Sequence, residues 1–365
     1  MRRLCASAAA LAVTALLPLP AFAAVTSRTP TAGIGSQLVV GGLAFPAAFT
    51  LAPDGRIFYG ERYTGTIRIY DPATGSNTAF FTITNIETDG ERGLLGIALP
   101  PNYATRPYVY AYATRNVGGT IENQIIRIHD AGGTGVGPRV IFTEDIPSNA
   151  IHNGGRILFG PDGKLYVVIG EADNRANSQN LTNDAGKILR ILPYGGIPSD
   201  NPFPGSPIWS YGHRNSFGFT FDPITKNLWE TENGPSCNDE INLIKKGANF
   251  GWGPHENCND PNPPSNTNQD GPSPVLPLDY FTPTIAPVGA AFCVGCGLIS
   301  AEGSLLFGAY NTSQIFQIVL TPDRTGIAST TVVYTHSSYV LSMERGPNDT
   351  VYFSDATSIY KLTNT

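Results

Sequence analysis

Apolar residues in this chain come in short alternating runs, broken by Gly, Pro, Asn and Asp. Alternation at period two between turn formers predicts β-strands, and the i, i+3, i+4 spacing of amphipathic helices is scarce. One unit recurs, a turn often centred on Pro and then an apolar, aromatic strand. It reads APDGRIFYGE at 52–61, PPNYATRPYVYAYAT at 100–114, GPDGKLYVVIGE at 160–171 and DPITKNLWETE at 222–232. A weaker copy is AEGSLLFGAY at 301–310, and the last is GPNDTVYFSD at 346–355. A second strand often follows, as in GTIRIYD at 65–71 and TSQIFQIVL at 312–320.

Six copies predict radial repetition. The expected fold is all-β, a six-bladed β-propeller of four-stranded antiparallel blades, because closing the ring protects the sheet edges. A large β-sandwich with similar turns is the competing arrangement. Residues 24–365 are expected to form one propeller domain. The Pro/Asn-rich stretch at 254–277 then reads as a loop insertion on one face, since the repeat continues on both sides of it.

The N-terminus changes the picture of location. Arg2 and Arg3 precede an apolar run from Leu4 to Leu19, which ends in Ala21-Phe22-Ala23. That layout predicts a signal peptide over 1–23 and a secreted or periplasmic protein. The run is short and Pro-interrupted, so no membrane span is expected after cleavage. The net charge is −6, and no Lys or Arg occurs between Gly247 and Asp323. Nucleic acid and anionic lipid are therefore poor partners. Cys5 leaves with the signal. Cys237, Cys258, Cys293 and Cys296 remain, an even number in an exported chain, which predicts two disulfides. Of three connectivities, Cys237–Cys258 with Cys293–Cys296 closes the shortest loops. A redox or zinc role for Cys293 and Cys296 lacks a nearby His or a second C-x-x-C.

In a propeller, chemistry gathers around the central channel from scattered loops at equivalent blade positions. His152 heads the run IHNGG, and its imidazole is suited to general-base work near neutral pH. A surface-loop histidine is the plainer reading. Arg214 and Asn215 place a planar cation and an amide at the start of a strand, suited to carboxylate or quinone oxygens. Glu232, Gly234, Pro235, Asp239 and Glu240 offer carboxylates and carbonyls that suit calcium, though no EF-hand loop is present. Glu91 and Arg92 could simply pair with each other. No nucleophile elbow, H-E-x-x-H or P-loop occurs. A glycosidase pair drawn from Glu91, Glu171, Glu232 and Glu240 stays open.

The run ERGLLGIAL, HNGGRILFGPDGKLYVVIGEADN, NLTNDAGKILRI, IWSYGHRNSFGFTFDP, LWETENGP and DEINLIKKGANFGW, in that order, resembles the glucose/sorbosone dehydrogenase family. The resemblance is continuous from about Val40 to Trp252 and looser through 282–292. It implies a six-bladed propeller binding pyrroloquinoline quinone (PQQ) and calcium. By position, His152 is the catalytic base, and Glu91, Arg214, Asn215, Gly234 and Pro235 contact the cofactor. The carbonyls of Gly234 and Pro235 hold the calcium. The substrate is a small sugar or related alcohol, and electrons pass to a separate acceptor. The chain departs from the family at several positions. Ile151 stands for Asp, Phe217 for Gln and Glu91 for Gln. Tyr339 and Leu341 stand where two Arg of a cationic clamp are expected, no Lys follows LFGAYN, and Arg345 is out of register. The alternatives are a non-catalytic secreted propeller that binds a glycan or protein, and a calcium-dependent lactonase or other hydrolase.

Overall fold

The computed structural model describes residues 33–365, so the expected signal peptide at 1–23 lies outside the described residues. β1 (Ile34–Gly41) is followed by five complete blades. The first is β2–β5 (Pro46–Leu51, Ile57–Glu61, Thr66–Asp71, Ser76–Thr82) and the second β6–β9 (Leu94–Ala98, Tyr108–Val117, Thr120–Asp130, Gly135–Thr143). The third is β10–β13 (Ile157–Phe159, Leu165–Ile169, Lys187–Ile191, Ile208–Tyr211), with one short helix, α1 (Ala176–Gln179), before β12. The fourth is β14–β17 (Ser216–Phe221, Leu228–Glu232, Asp239–Ile244, Asp279–Phe281). The fifth is β18–β21 (Pro287–Phe292, Leu305–Ala309, Gln314–Leu320, Ile327–Thr335). The last holds β22–β24 (Ser342–Arg345, Val351–Ser354, Ser358–Asn364), and β1 adds to β24 as its outer strand. All pairings are antiparallel within six four-stranded sheets. The chain is the expected six-bladed propeller, closed by pairing its first described strand with its last.

The repeated unit in the sequence is the turn between the first and second strands of each blade together with the second strand. In the PDG copies the Asp side chain accepts the N–H two residues on, Arg56 N to Asp54 Oδ1 at 3.1 Å and Lys164 N to Asp162 Oδ1 at 3.0 Å. The next glycine takes the left-handed region, φ +89° at Gly55 and +70° at Gly163. Second strands are largely buried, and β11 (LYVVI), β15 and β19 (LLFGA) are buried along their whole length. A neighbouring blade covers each of their faces, so strict alternation gives way to continuous apolar sequence. Outer strands such as β9 and β21 are mostly exposed. The core is accordingly divided into six clusters, one at each blade interface, from Phe58 with Leu94 and Ile97 between blades one and two to Phe49 and Tyr59 with Val40 and Ile359 at the closure.

The Pro/Asn-rich stretch lies between β16 and β17 in the fourth blade. Cys237–Cys258 ties it down, and Cys293–Cys296 closes the loop after β18, the expected pairing in both cases. Its buried amides bond across to the blade, with Asn238 Nδ2 donating to Asn266 Oδ1 at 2.6 Å and Thr267 Oγ1 at 3.0 Å. Among the described residues no helix is long and apolar enough to cross a membrane.

Candidate active site

A cavity of about 460 Å3 opens where the first strands of the blades converge, and every blade contributes to its wall. Glu91, His152, Arg214, Asn215, Gly234 and Pro235 all line it. Strand-start loops and the loops after second strands supply these side chains, so equivalent blade positions meet at one end of the channel.

His152 sits in the loop before β10 with φ +57°, a backbone state that costs a residue with a Cβ about 1–2 kcal/mol. The loop packs directly against β11. A Cβ on Gly154 would lie 2.7 Å from Val168 O, and one on Gly170 would lie 2.2 Å from His152 O. Glycine at both positions lets the loop sit this deep. His152 Nδ1 lies 2.9 Å from both carboxylate oxygens of Glu171, which is 1% exposed. That contact places the ring proton on Nδ1 and leaves the Nε2 lone pair available. Among the described residues Nε2 has no hydrogen-bond partner. The His152 N–H donates to Glu91 Oε2 at 2.7 Å, and Asn215 Nδ2 donates to the same oxygen at 3.1 Å. Asn215 Oδ1 accepts the Gly154 N–H at 3.1 Å. Glu91 and Asn215 thus fasten the His152 loop from two neighbouring blades.

Arg214 donates from Nη1 to Asn233 O at 2.9 Å and stacks over Trp252 at 5.5 Å. Its N–H donates to Glu232 Oε1. Among the described residues its guanidinium forms no ion pair. Burial holds its pKa below the usual arginine value, against the attraction of Glu171, Glu232, Glu91 and Asp239. Such a cation favours an anionic or strongly polar ligand oxygen. Behind it lies His213, with Nδ1 3.0 Å from Glu232 and 3.2 Å from Glu230, and Nε2 2.9 Å from Ser210 Oγ. Burial opposes its protonation, but the charges of Glu230 and Glu232 overcome this and raise it to about 10. Burial also raises Glu230 and Glu240. The His213 imidazolium therefore orients Glu232, which in turn orients Arg214.

Gly234 N–H donates to Asp239 Oδ1 at 2.8 Å, while Oδ2 accepts from Ile285 at 2.6 Å and Ala286 at 2.7 Å. Burial pushes the Asp239 carboxyl up to about 6. Among the described residues neither Gly234 O nor Pro235 O accepts a hydrogen bond. Two adjacent cavity-lining carbonyls without donors suit a hard cation.

Some readings of the sequence are corrected. Glu91 and Arg92 do not pair with each other, because Arg92 turns away to Ser148, donating to its Oγ at 3.2 Å and its O at 2.6 Å. Of Glu91, Glu171, Glu232 and Glu240 only Glu91 lines the cavity, so the glycosidase pair that the sequence left open does not form there. Arg345 pairs with Asp349 and Val294 O at the far end of β22 and does not reach the cavity. Phe217 and Leu341 line the wall, whereas Ile151 does not. Sequence reasoning missed Arg62, Arg156, Phe45 and Tyr310, all of which line the cavity. Arg62 and Tyr310 occupy the same place after the second strand of their blades as Asn233, so the register of the repeat was the signal that could have found them. Arg156, in blade three, reaches across to blade six, donating to Ser342 Oγ at 2.8 Å and Met343 O at 3.0 Å and pairing with Glu344.

Residues 43–362 match the family model for glucose/sorbosone dehydrogenase. The chain is 33% identical over 288 residues to quinoprotein glucose dehydrogenase B of Acinetobacter calcoaceticus, which covers 69% of this chain and 60% of that protein. The PQQ-bound structure of an aldose sugar dehydrogenase from Streptomyces coelicolor is 31% identical, with a TM-score of 0.77 over 91% of this chain and 98% of that one. Human Hedgehog-interacting protein is 29% identical over 196 residues, 46% of this chain and 28% of that protein.

Proposed function

We propose a function on one premise: the chain belongs to the glucose/sorbosone dehydrogenase family. It is an exported, PQQ- and calcium-dependent dehydrogenase of an aldose or a related alcohol. The observation that carries this reading is the imidazole of His152, held through Nδ1 by buried Glu171, with Nε2 left without a partner on a cavity beside Arg214, Asn215 and a donor-free carbonyl pair. The cavity fits the cofactor in size and chemistry. It combines two arginines, Arg62 and Arg214, that lack ion pairs among the described residues with a wall of Phe217, Val288, Tyr310 and Leu341.

When bound, PQQ supplies the quinone that accepts the substrate hydride, and calcium supplies a Lewis acid beside it. The rest belongs to the chain. His152 Nε2 takes the hydroxyl proton of the substrate as the C–H bond breaks, worth roughly 10²–10⁴-fold in rate. Glu171 accepts the Nδ1–H throughout and stabilises the imidazolium that forms. Arg214 and Asn215 orient the cofactor, and the Gly234 and Pro235 carbonyls hold the metal. Electrons leave to a separate acceptor. The test is reconstitution of the mature protein with PQQ and calcium, followed by an aldose panel with an acceptor dye. Turnover that vanishes in His152→Ala supports the reading. Turnover that survives the substitution removes His152 as the base.

A second reading, a non-catalytic propeller that binds a glycan or protein, is favoured by Tyr339 and Leu341, which put aromatic and apolar side chains where cations were expected. The partial match to Hedgehog-interacting protein points the same way.

A further inference from the structure

Arg62 follows β3 and lines the cavity on blade one, opposite Arg214 at the start of blade four. Its guanidinium is held in one plane. Nε donates to Arg92 O at 2.9 Å, Nη1 to Tyr63 Oη at 3.0 Å and Nη2 to Gly90 O. The rings of Phe45 and Tyr63 face it at 5.4 and 4.7 Å. No carboxylate pairs with it among the described residues. A guanidinium carries five N–H donors, and the protein engages three. One N–H remains on each terminal nitrogen, the fork that grips a carboxylate with two parallel bonds. Arg156, the other cation near this side, is already neutralised by Glu344.

The surroundings define the ligand further. Phe45 and Tyr310 line the cavity, and Tyr339, which does not line it, packs against both with ring centroids at 6.4 and 4.5 Å, so the aromatic wall near Arg62 is backed across the ring closure. A ligand spanning the cavity from Arg214 to Arg62 must be flat where it meets this wall and anionic where it ends. We propose that Arg62 binds a carboxylate of the cofactor and makes this cavity selective for a planar aromatic polycarboxylate. The inference rests on the functional reading above, because PQQ is the ligand of that chemistry it names. Arg62 is a binding residue here, with no part in moving the proton.

The test titrates the calcium-loaded full protein with PQQ and with its trimethyl ester, in which every carboxylate is masked. Tryptophan fluorescence reports binding, and wild type is compared with Arg62→Gln and Arg62→Lys. Arg62→Gln should weaken PQQ about 10- to 100-fold and leave the ester within about twofold, since a charge-assisted bidentate pair is lost only for the acid. Arg62→Lys keeps the charge without the fork and should fall between. It also serves if the Gln variant fails to fold. If the variants weaken both ligands equally, or neither, Arg62 does not read the carboxylate and the proposal is overturned while PQQ binding stands. If wild type binds neither ligand at tens of micromolar, both the proposal and the functional reading fall.

Discussion

Two histidines of this site do different work, and single substitutions should separate them. His152 has one nitrogen tied to Glu171 and the other available, the arrangement of a positioned base. Glu171→Gln keeps a hydrogen-bond acceptor for Nδ1–H but removes the charge that stabilises the imidazolium. It should lower kcat by about tenfold or more, with PQQ affinity within about twofold of wild type, because the carboxylate does not line the cavity. Equal loss in affinity and turnover would make Glu171 a scaffold for the whole loop. His213, by contrast, is a buried cation between Glu230 and Glu232. The charges of Glu230 and Glu232 raise its pKa to about 10, above the usual histidine value of about 6.5, so its stabilisation is full below about pH 6.5 and fades as pH rises toward 10. Urea unfolding of wild type and His213→Gln from pH 6 to 10.5 should show a stability gap that narrows across that window. The gap at the low end should be roughly 3–5 kcal/mol, as for one partner removed from a buried pair. A gap that widens with pH would mean His213 is buried neutral.

At the scale of elements, the repeat in the sequence was legible because each blade needs the same turn and the same buried second strand. PDG copies fold as written, and even the weak copy at 301–310 gave β19. Glu91, His152, Arg214 and Asn215 could be singled out because the segments just before first strands carry unusual polar runs. Arg62 and Tyr310 could not, because each looks like the ordinary end of a strand. Only ring closure brings blade one beside blade six and sets Arg62 on the same cavity as Tyr310 of blade five, across more than two hundred residues of chain. Arg345 failed as a clamp for a geometric reason. It ends β22, and at roughly 3.3 Å per residue that is more than 10 Å from the cavity end at Leu341. Two devices of the fold are testable at this scale. Removing β1 would leave β24 an unpaired edge, so a chain beginning after Gly41 should lose its cooperative thermal transition and aggregate. An unchanged melting curve would show that closure does not need that strand. Cys237 and Cys258 are 21 residues apart, and replacing both by Ser should cost about 3 kcal/mol. If the Gly234 and Pro235 carbonyls hold calcium as proposed, the same change should weaken its binding, because Cys237 anchors the loop that carries them. Unaltered calcium affinity would show that Asp239 alone holds those carbonyls in place.

For the whole molecule, the propeller gives six separate cores and one shared opening. Nearly all apolar burial lies between blades, which leaves the channel end free to collect polar groups from every blade. Local rigidity there comes from bonds between blades: Glu91 to His152 and Asn215, and Arg156 to Ser342 and Glu344. Proteins similar in sequence to this chain include named sugar dehydrogenases and one relative named for a protein interaction, so similarity alone cannot decide between catalysis and binding. The contents of the cavity can. The most direct measurement is a titration of the mature, calcium-loaded protein with PQQ, followed by cofactor absorbance and then by dye reduction with an aldose panel. Saturable binding in the micromolar range or tighter is expected, with turnover that falls at least about a hundredfold in His152→Ala while binding persists. No binding at tens of micromolar PQQ would contradict the dehydrogenase reading and leave the cavity to a glycan or protein ligand.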